Sequence, residues 1–239
     1  MPNNEIADRK FCFVLSEKCL FIHLSNSDDI EFRVEADEIK KLLTGFSITV
    51  KHSTEDVAEQ IAKQKAIVLT NIITVKYGRY VYPLYHGYTK ILKDGKGYVK
   101  KSFIIGTGSR IRELSLDLKD KKISRQLNDM VLNQLYDHAC RGFKAYQEYD
   151  AINMIKEFYQ IVENRHNIPE ELSKFKHLRD ILSHKGPLFK ETVNRVKGTF
   201  GDDYFVFIEG KYFDYTSYIN KRLLYNEALF LMNKAVCYL

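Results

Sequence analysis

The sequence predicts an α+β fold: a mixed strand and helix domain over residues 1–116, then a helical domain of about four helices over residues 123–239 with a β-hairpin set into it. Three observations carry that expectation. Up to about Leu116, apolar runs rich in Phe, Val, Ile and Tyr are punctuated by turn residues. Beyond the polar stretch 117–122 (DLKDKK) the apolar residues recur at helical spacing. A chain of 239 residues with 45% hydrophobic content is also long enough to bury two cores.

In the first part, residues 10–16 and 19–24 are apolar runs that read as strands, and residues 30–34 alternate apolar with charged side chains. A short helix is expected over 35–43, where Ile39, Leu42 and Leu43 stand at helical spacing before Gly45, and residues 46–50 read as extended again. A further helix is expected to start at Ser53 or Thr54, with Glu55 and Asp56 suited to its positive N-terminal end. Residues 71–105, rich in Tyr, Val, Ile and Thr with several glycines, suggest strands joined by tight turns, Asp94-Gly95 being the clearest hairpin signal.

In the second part, Ile123, Leu127, Val131, Leu135, Ala139 and Phe143 form a stripe of four-residue period that must pack against a partner. Asp150 caps a second helix facing inward with Ile152, Ile155 and Val162, and Pro169 opens a third, where its missing N–H costs nothing. That helix points Phe175, Leu178, Ile181 and Leu182 inward and stops at Gly186-Pro187; residues 191–196 suggest a further turn or two. Residues 204–215 (YFVFIEGKYFDY) read as a hairpin turning at Glu209-Gly210, and a last helix capped by Thr216 or Ser217 carries Leu223, Leu224, Ala228, Leu231 and Ala235.

Composition narrows the function. The polar start MPNNEIADRK and the lack of a long apolar run speak against a secretory leader or a membrane helix and lead to the expectation of a cytoplasmic protein. Cys12, Cys19, Cys140 and Cys237 show no zinc-type spacing and are expected to be reduced thiols. Gly106-Thr107-Gly108 lacks the third glycine of a dinucleotide loop, and no GxxxxGK[ST] or HExxH occurs, so no cofactor or metal is expected. The net charge of +6 is unevenly spread: between Ile73 and Arg112 nine basic residues face Asp94 alone. Lys90, Lys93, Lys96, Lys100 and Lys101 there, interleaved with Tyr77, Tyr80, Tyr82, Tyr85, Tyr88 and Tyr98, suit a single-stranded RNA surface of phosphate-neutralising cations and stacking rings, and equally a sheet with Tyr packed on one face and Lys solvated on the other.

The stretch with most chemistry is His177–Leu188 (HLRDILSHKGPL), at the end of the third helix of the second part. Its Arg179-Asp180-x-x-Ser183-His184 resembles the R-x4-H motif of the HEPN superfamily, a group of small helical bundles, and the likeness extends over about Ile123–Leu239 with the hairpin as an insertion. The resemblance implies a four-helix-type bundle that pairs as a homodimer, with Arg179 and His184 of two copies composing one metal-independent endoribonuclease site. Asp180 fits the polar position of the motif. It further implies RNA as substrate, a bacterial antiviral defence or toxin setting, and an antitoxin or regulatory ligand as partner. The residues are chemically apt. RNA cleavage without a metal needs a base for the 2′-OH, an acid for the leaving 5′-oxygen and a cation over the phosphate, and an imidazole and a guanidinium supply these. Ser183 and Lys185 flank the pair as phosphate contacts or as ordinary solvated helix-end residues. His177, seven residues before His184, is a second proton-transfer group or a rim histidine. The rival reading is a non-catalytic module that dimerises or binds RNA or a nucleotide.

Overall fold

The computed structural model describes residues 6–36, 41–91, 114–164, 167–184 and 186–239. The chain is mixed α+β and divides into two compact units, 1–133 and 134–239.

Unit 1 is organised by one long strand. In β1 (Ala7–Ser25) the side chains alternate, with Arg9, Phe11, Phe13 and Leu15 turned into the core and the intervening residues half-exposed. β2 (Ile30–Ala36) pairs antiparallel with β3 (Lys41–Ser53), β3 with β1, and β1 with β4 (Pro83–Ile91), while the far end of β1 pairs parallel with β5 (Leu114–Asp117). Gly45 sits opposite Val14, where a Cβ would run into the Phe13 carbonyl, so the strands approach closely only because the side chain is absent. Helix α1 (Glu55–Tyr77) lays Ala58, Ala62, Ala66, Leu69, Ile72 and Ile73, all fully buried, into this core.

Two expectations are corrected here. Residues 35, 36 and 41–43 are strand rather than helix, because Glu35, Val34 and Cys19 find cross-strand partners in Leu42 and Leu43; residues 37–40 lie outside the described residues. Residues 71–77 are the last turns of α1 rather than a strand. The side chains of Ile72, Ile73 and Thr74 are buried by the helix's packing, which outweighs a preference worth a fraction of a kcal/mol per residue. The helix ends where Gly78 adopts φ 72° and the Thr74 hydroxyl both accepts from the Val81 N–H (2.9 Å) and donates to its carbonyl (3.0 Å). Thr54 is the N-cap residue, though its hydroxyl caps nothing. The Asp94-Gly95 turn lies outside the described residues.

The single stripe expected from Ile123 to Phe143 is split at Asp129 into α2 (Lys121–Asn128), in unit 1, and α3 (Met130–Gln147). In unit 2, Tyr136, Ala139, Cys140 and Phe143 of α3 are buried, and Phe143 meets Phe158 of α4 (Ala151–Glu163) edge to face. Asp150 caps α4 through the Asn153 N–H (3.1 Å). α5 (Glu170–Ser183) lies against α4 and α6 (Lys190–Phe200), and α7 (Tyr218–Val236), capped by Ser217, packs on α4. Between α6 and α7, β6 (Phe207–Ile208) pairs with β7 (Tyr212–Phe213) across Glu209 and Gly210, both at positive φ. Fully buried Asn220 anchors this segment: its Oδ1 accepts the Val206 N–H (2.8 Å) and its Nδ2 donates to the carbonyls of Val206 (2.8 Å) and Asp214 (2.9 Å).

Candidate functional site

α5 is a helix with one committed face. Leu172, Phe175, Leu178, Ile181 and Leu182 are buried in unit 2, which leaves two flanks for the polar residues of the sequence motif. On one flank stand His177 and Asp180. At the helix end, His184 has already left helical geometry (φ −104°, ψ 121°), its N–H donating to the Ile181 carbonyl at 3.2 Å. The Tyr215 hydroxyl, just past β7, donates to both Ile181 and His184 carbonyls (3.2 Å each) and fixes where the chain turns off. Burial raises the pKa of that phenol above its ordinary range, so it remains a donor.

Directly after this turn, the Leu188 N–H is bound by the Lys211 carbonyl (2.8 Å) and Phe189 opens α6. The two helices thereby enclose a cleft of about 180 Å³, with His177, Asp180 and His184 on the α5 side and Phe189, Thr192 and Arg195 on the α6 side. His184 is exposed; His177, Asp180 and Thr192 are half-buried. The Arg195 guanidinium is exposed, and among the described residues no carboxylate lies within ion-pair distance of it.

Arg179 is on the other flank. Its guanidinium reaches Glu163 at the end of α4 (2.5 Å) and Asp180 (3.1 Å), and it lies 5.0 Å over the Tyr159 ring. Burial works against its charge, but the hydrogen bonds with Asp180 and Glu163 outweigh that and hold its pKa above the ordinary arginine range. The fold thus brings His177, Asp180 and His184 into one cleft and does not bring Arg179 there; Asp180 is the link, bordering the cleft and bonded to Arg179. The Ser183 hydroxyl donates back to the Arg179 carbonyl (2.8 Å) and is absent from the cleft lining. Lys185 lies outside the described residues.

Arg195, Thr192 and Phe189 were not singled out from the sequence. A signal exists in the pattern of α6: with Val193 and Val196 buried, Thr192 and Arg195 fall three apart on one flank. Which helix that flank faces depends on the turn held by Tyr215 and Leu188, over which local pattern has no say.

The basic surface expected in unit 1 is largely beyond description: Lys93, Lys96, Lys100 and Lys101 lie outside the described residues, and of Lys90 only the backbone, in β4, is described. Of the interleaved tyrosines, Tyr77 is core and Tyr88 donates to Glu55 (2.7 Å), while Tyr82 and Tyr85 are exposed. Among the described residues no three His, Cys, Asp or Glu side chains are grouped as metal ligands, and no helix is long and apolar enough to cross a membrane. The four cysteines are free thiols, Cys19 pushed up to about 12 by burial.

Compared with models of known protein families, with curated proteins and with solved structures, the chain finds no match in any of the three.

Proposed function

We propose that unit 2 is a HEPN-type bundle acting as a metal-independent endoribonuclease, a homodimer in the cytoplasm, with unit 1 as its recognition or regulatory part. The observation that carries this reading is the cleft between α5 and α6, lined by His177, Asp180, His184 and Arg195, the last with no carboxylate partner among the described residues.

These groups match what RNA cleavage requires. One imidazole takes the proton of a ribose 2′-OH; the 2′-oxygen attacks the adjacent phosphorus; the 5′-oxygen leaves with a proton from the other imidazole. The products are a 2′,3′-cyclic phosphate and a free 5′-OH. His184, exposed at the rim, is the first proton-transfer group and His177 the second. A guanidinium offsets the charge gathering on the phosphate. Arg179, already held by Glu163 and Asp180, positions Asp180 and α5 within its own protomer, or reaches the phosphate after exchanging Glu163 for it. The resemblance of the motif places such activity in bacterial defence, under an antitoxin or regulatory ligand.

One observation favours the second reading, a non-catalytic RNA-binding or dimerising module: the charge of Arg179 is met by two carboxylates of its own chain. The two readings separate on cleavage of mixed RNA in EDTA by the wild-type chain and by His184→Ala, His177→Ala and Arg179→Ala. Cutting that resists EDTA, leaves cyclic phosphate ends and disappears in His184→Ala supports the nuclease. No cutting by any version, with RNA bound equally by all, assigns the module.

A further inference from the structure

We propose that the α5–α6 cleft is built for an unpaired nucleotide of single-stranded RNA, with Phe189 as the platform on which its base stacks and Thr192 and Arg195 as the grip on its phosphate. This deepens the RNA reading above and rests on it.

Phe189 is 84% exposed, a large ring left in water beside a cation and two imidazoles. Single exposed apolar residues are ordinary, but this one is held in place. Its carbonyl accepts the N–H groups of Thr192 (2.9 Å) and Val193 (3.2 Å) at the start of α6, and the residue before it is buried and bonded to Lys211. Only its two side-chain torsions remain free, so stacking on it costs little ordering entropy. Thr192 and Arg195 stand three residues, or about 4.5 Å of helical rise, apart on one flank of α6, and Phe189 is the extended residue immediately before that helix. An aromatic ring, a hydroxyl and a guanidinium thus line the same cleft as His177 and His184, and we assign them to base, sugar-phosphate and phosphate in chain order. Arg195 meets no carboxylate of its own among the described residues and is available to a phosphate oxygen pair.

Size decides between a free nucleotide and a polymer. Pockets that enclose a whole small-molecule ligand span about 300–1,000 Å³, and this cleft has about 180 Å³. It takes a piece of a chain, with the base lying outside on the Phe189 ring. A base in a duplex has both faces covered by its neighbours, so the platform selects unpaired RNA.

The test uses the full chain and a 2′-O-methylated oligonucleotide carrying 2-aminopurine, which lacks the nucleophile and is therefore not cut, as a single strand and paired with its complement. The expected results are quenching of 2-aminopurine by wild type on the single strand, a loss of single-strand affinity of about 5- to 140-fold in Phe189→Ala, recovery in Phe189→Trp, and little change for duplex. Arg195→Ala should lower the slope of log affinity against log salt by about 0.7, one phosphate contact. Equal single-strand affinity in Phe189→Ala and wild type, equal losses on single strand and duplex, or no binding by any variant overturns the proposal. So does wild-type RNA affinity with an altered sedimentation mass, which makes Phe189 a protein contact. Phe189-dependent binding without any cleavage of ordinary RNA removes only the nuclease reading.

Discussion

Arg179→Met keeps an apolar stem and removes the guanidinium that ties α5 to the end of α4. Its three contacts set the size of the effect. The Arg179 side chain is 20% exposed, but Glu163 and Asp180 are 38% and 41% exposed, so each ion pair belongs near the surface range of about 0.2–1 kcal/mol rather than the buried one. The guanidinium over Tyr159 adds about 0.5–1 kcal/mol. The sum is a loss of about 1–3 kcal/mol, and Arg179→Lys should recover only part of it, since an ammonium cannot bridge both carboxylates and lie flat on the ring. Urea unfolding followed by circular dichroism measures it, with Glu163→Gln and the double variant completing a cycle whose coupling should be about 0.2–1 kcal/mol. RNA cleavage per folded molecule is read alongside. If Arg179 is a positioning residue, Glu163→Gln weakens cleavage together with stability. If Arg179→Met unfolds at the wild-type midpoint, and Glu163→Gln raises cleavage, the clamp reasoning is refuted and the guanidinium works on the phosphate once released.

Three further perturbations follow from the same structure. Asn220→Ala removes three hydrogen bonds at a fully buried site and should lower stability by about 2–4 kcal/mol, with faster proteolysis of residues 201–217; an unchanged urea midpoint would contradict it. Gly142→Ala and Gly198→Ala are the same change in two helices with opposite expected signs. A Cβ at 142 would meet the Phe158 ring at 2.7 Å, where overpacking of about 1–3 kcal/mol outweighs a helix gain of about 1. At 198 nothing stands within 4 Å, so the gain of about 0.5–1 kcal/mol remains; equal melting shifts would sink the argument. The pKa of Glu157 is affected first by burial, which raises it, but hydrogen bonds with His138 (2.8 Å) and Arg141 (2.9 Å) prevail and hold it below its ordinary 4.5. A lowered folded value means that its stabilisation is whole above the ordinary pKa and fades as pH falls through the folded one. Glu157→Gln should therefore flatten the acid limb of stability, and a limb identical to wild type would show that the pairing contributes nothing.

Several features were legible in the residues because their causes are local. Asp150 and Ser217 cap α4 and α7 because a short oxygen-bearing side chain reaches an N–H three residues on, whatever surrounds it. The alternation of Ile30 and Phe32 with Glu31 and Arg33 marks the buried face of β2 because the pleat has a period of two. His177 and Asp180 are legible for a similar reason, since their spacing of three puts them on one flank of α5, with His184 just past its end.

What the tertiary structure decided are the matters that depend on which faces meet. Residues 71–77 have the β-branched composition of a strand, yet burial against the sheet of unit 1 keeps them in α1, because packing a whole helix face outweighs several small local preferences. Arg179 and His184 are neighbours in sequence but part company in space: one turns to Glu163, sixteen residues earlier in the chain, and the other is carried off the helix end by Tyr215. Arg195 lines the cleft and Arg179 does not, and although the spacing in α6 puts Thr192 and Arg195 on one flank, no local pattern says which helix that flank meets. That follows from the direction in which the chain leaves α5, a direction held by hydrogen bonds to Tyr215 and Lys211 in a segment more than twenty residues further along.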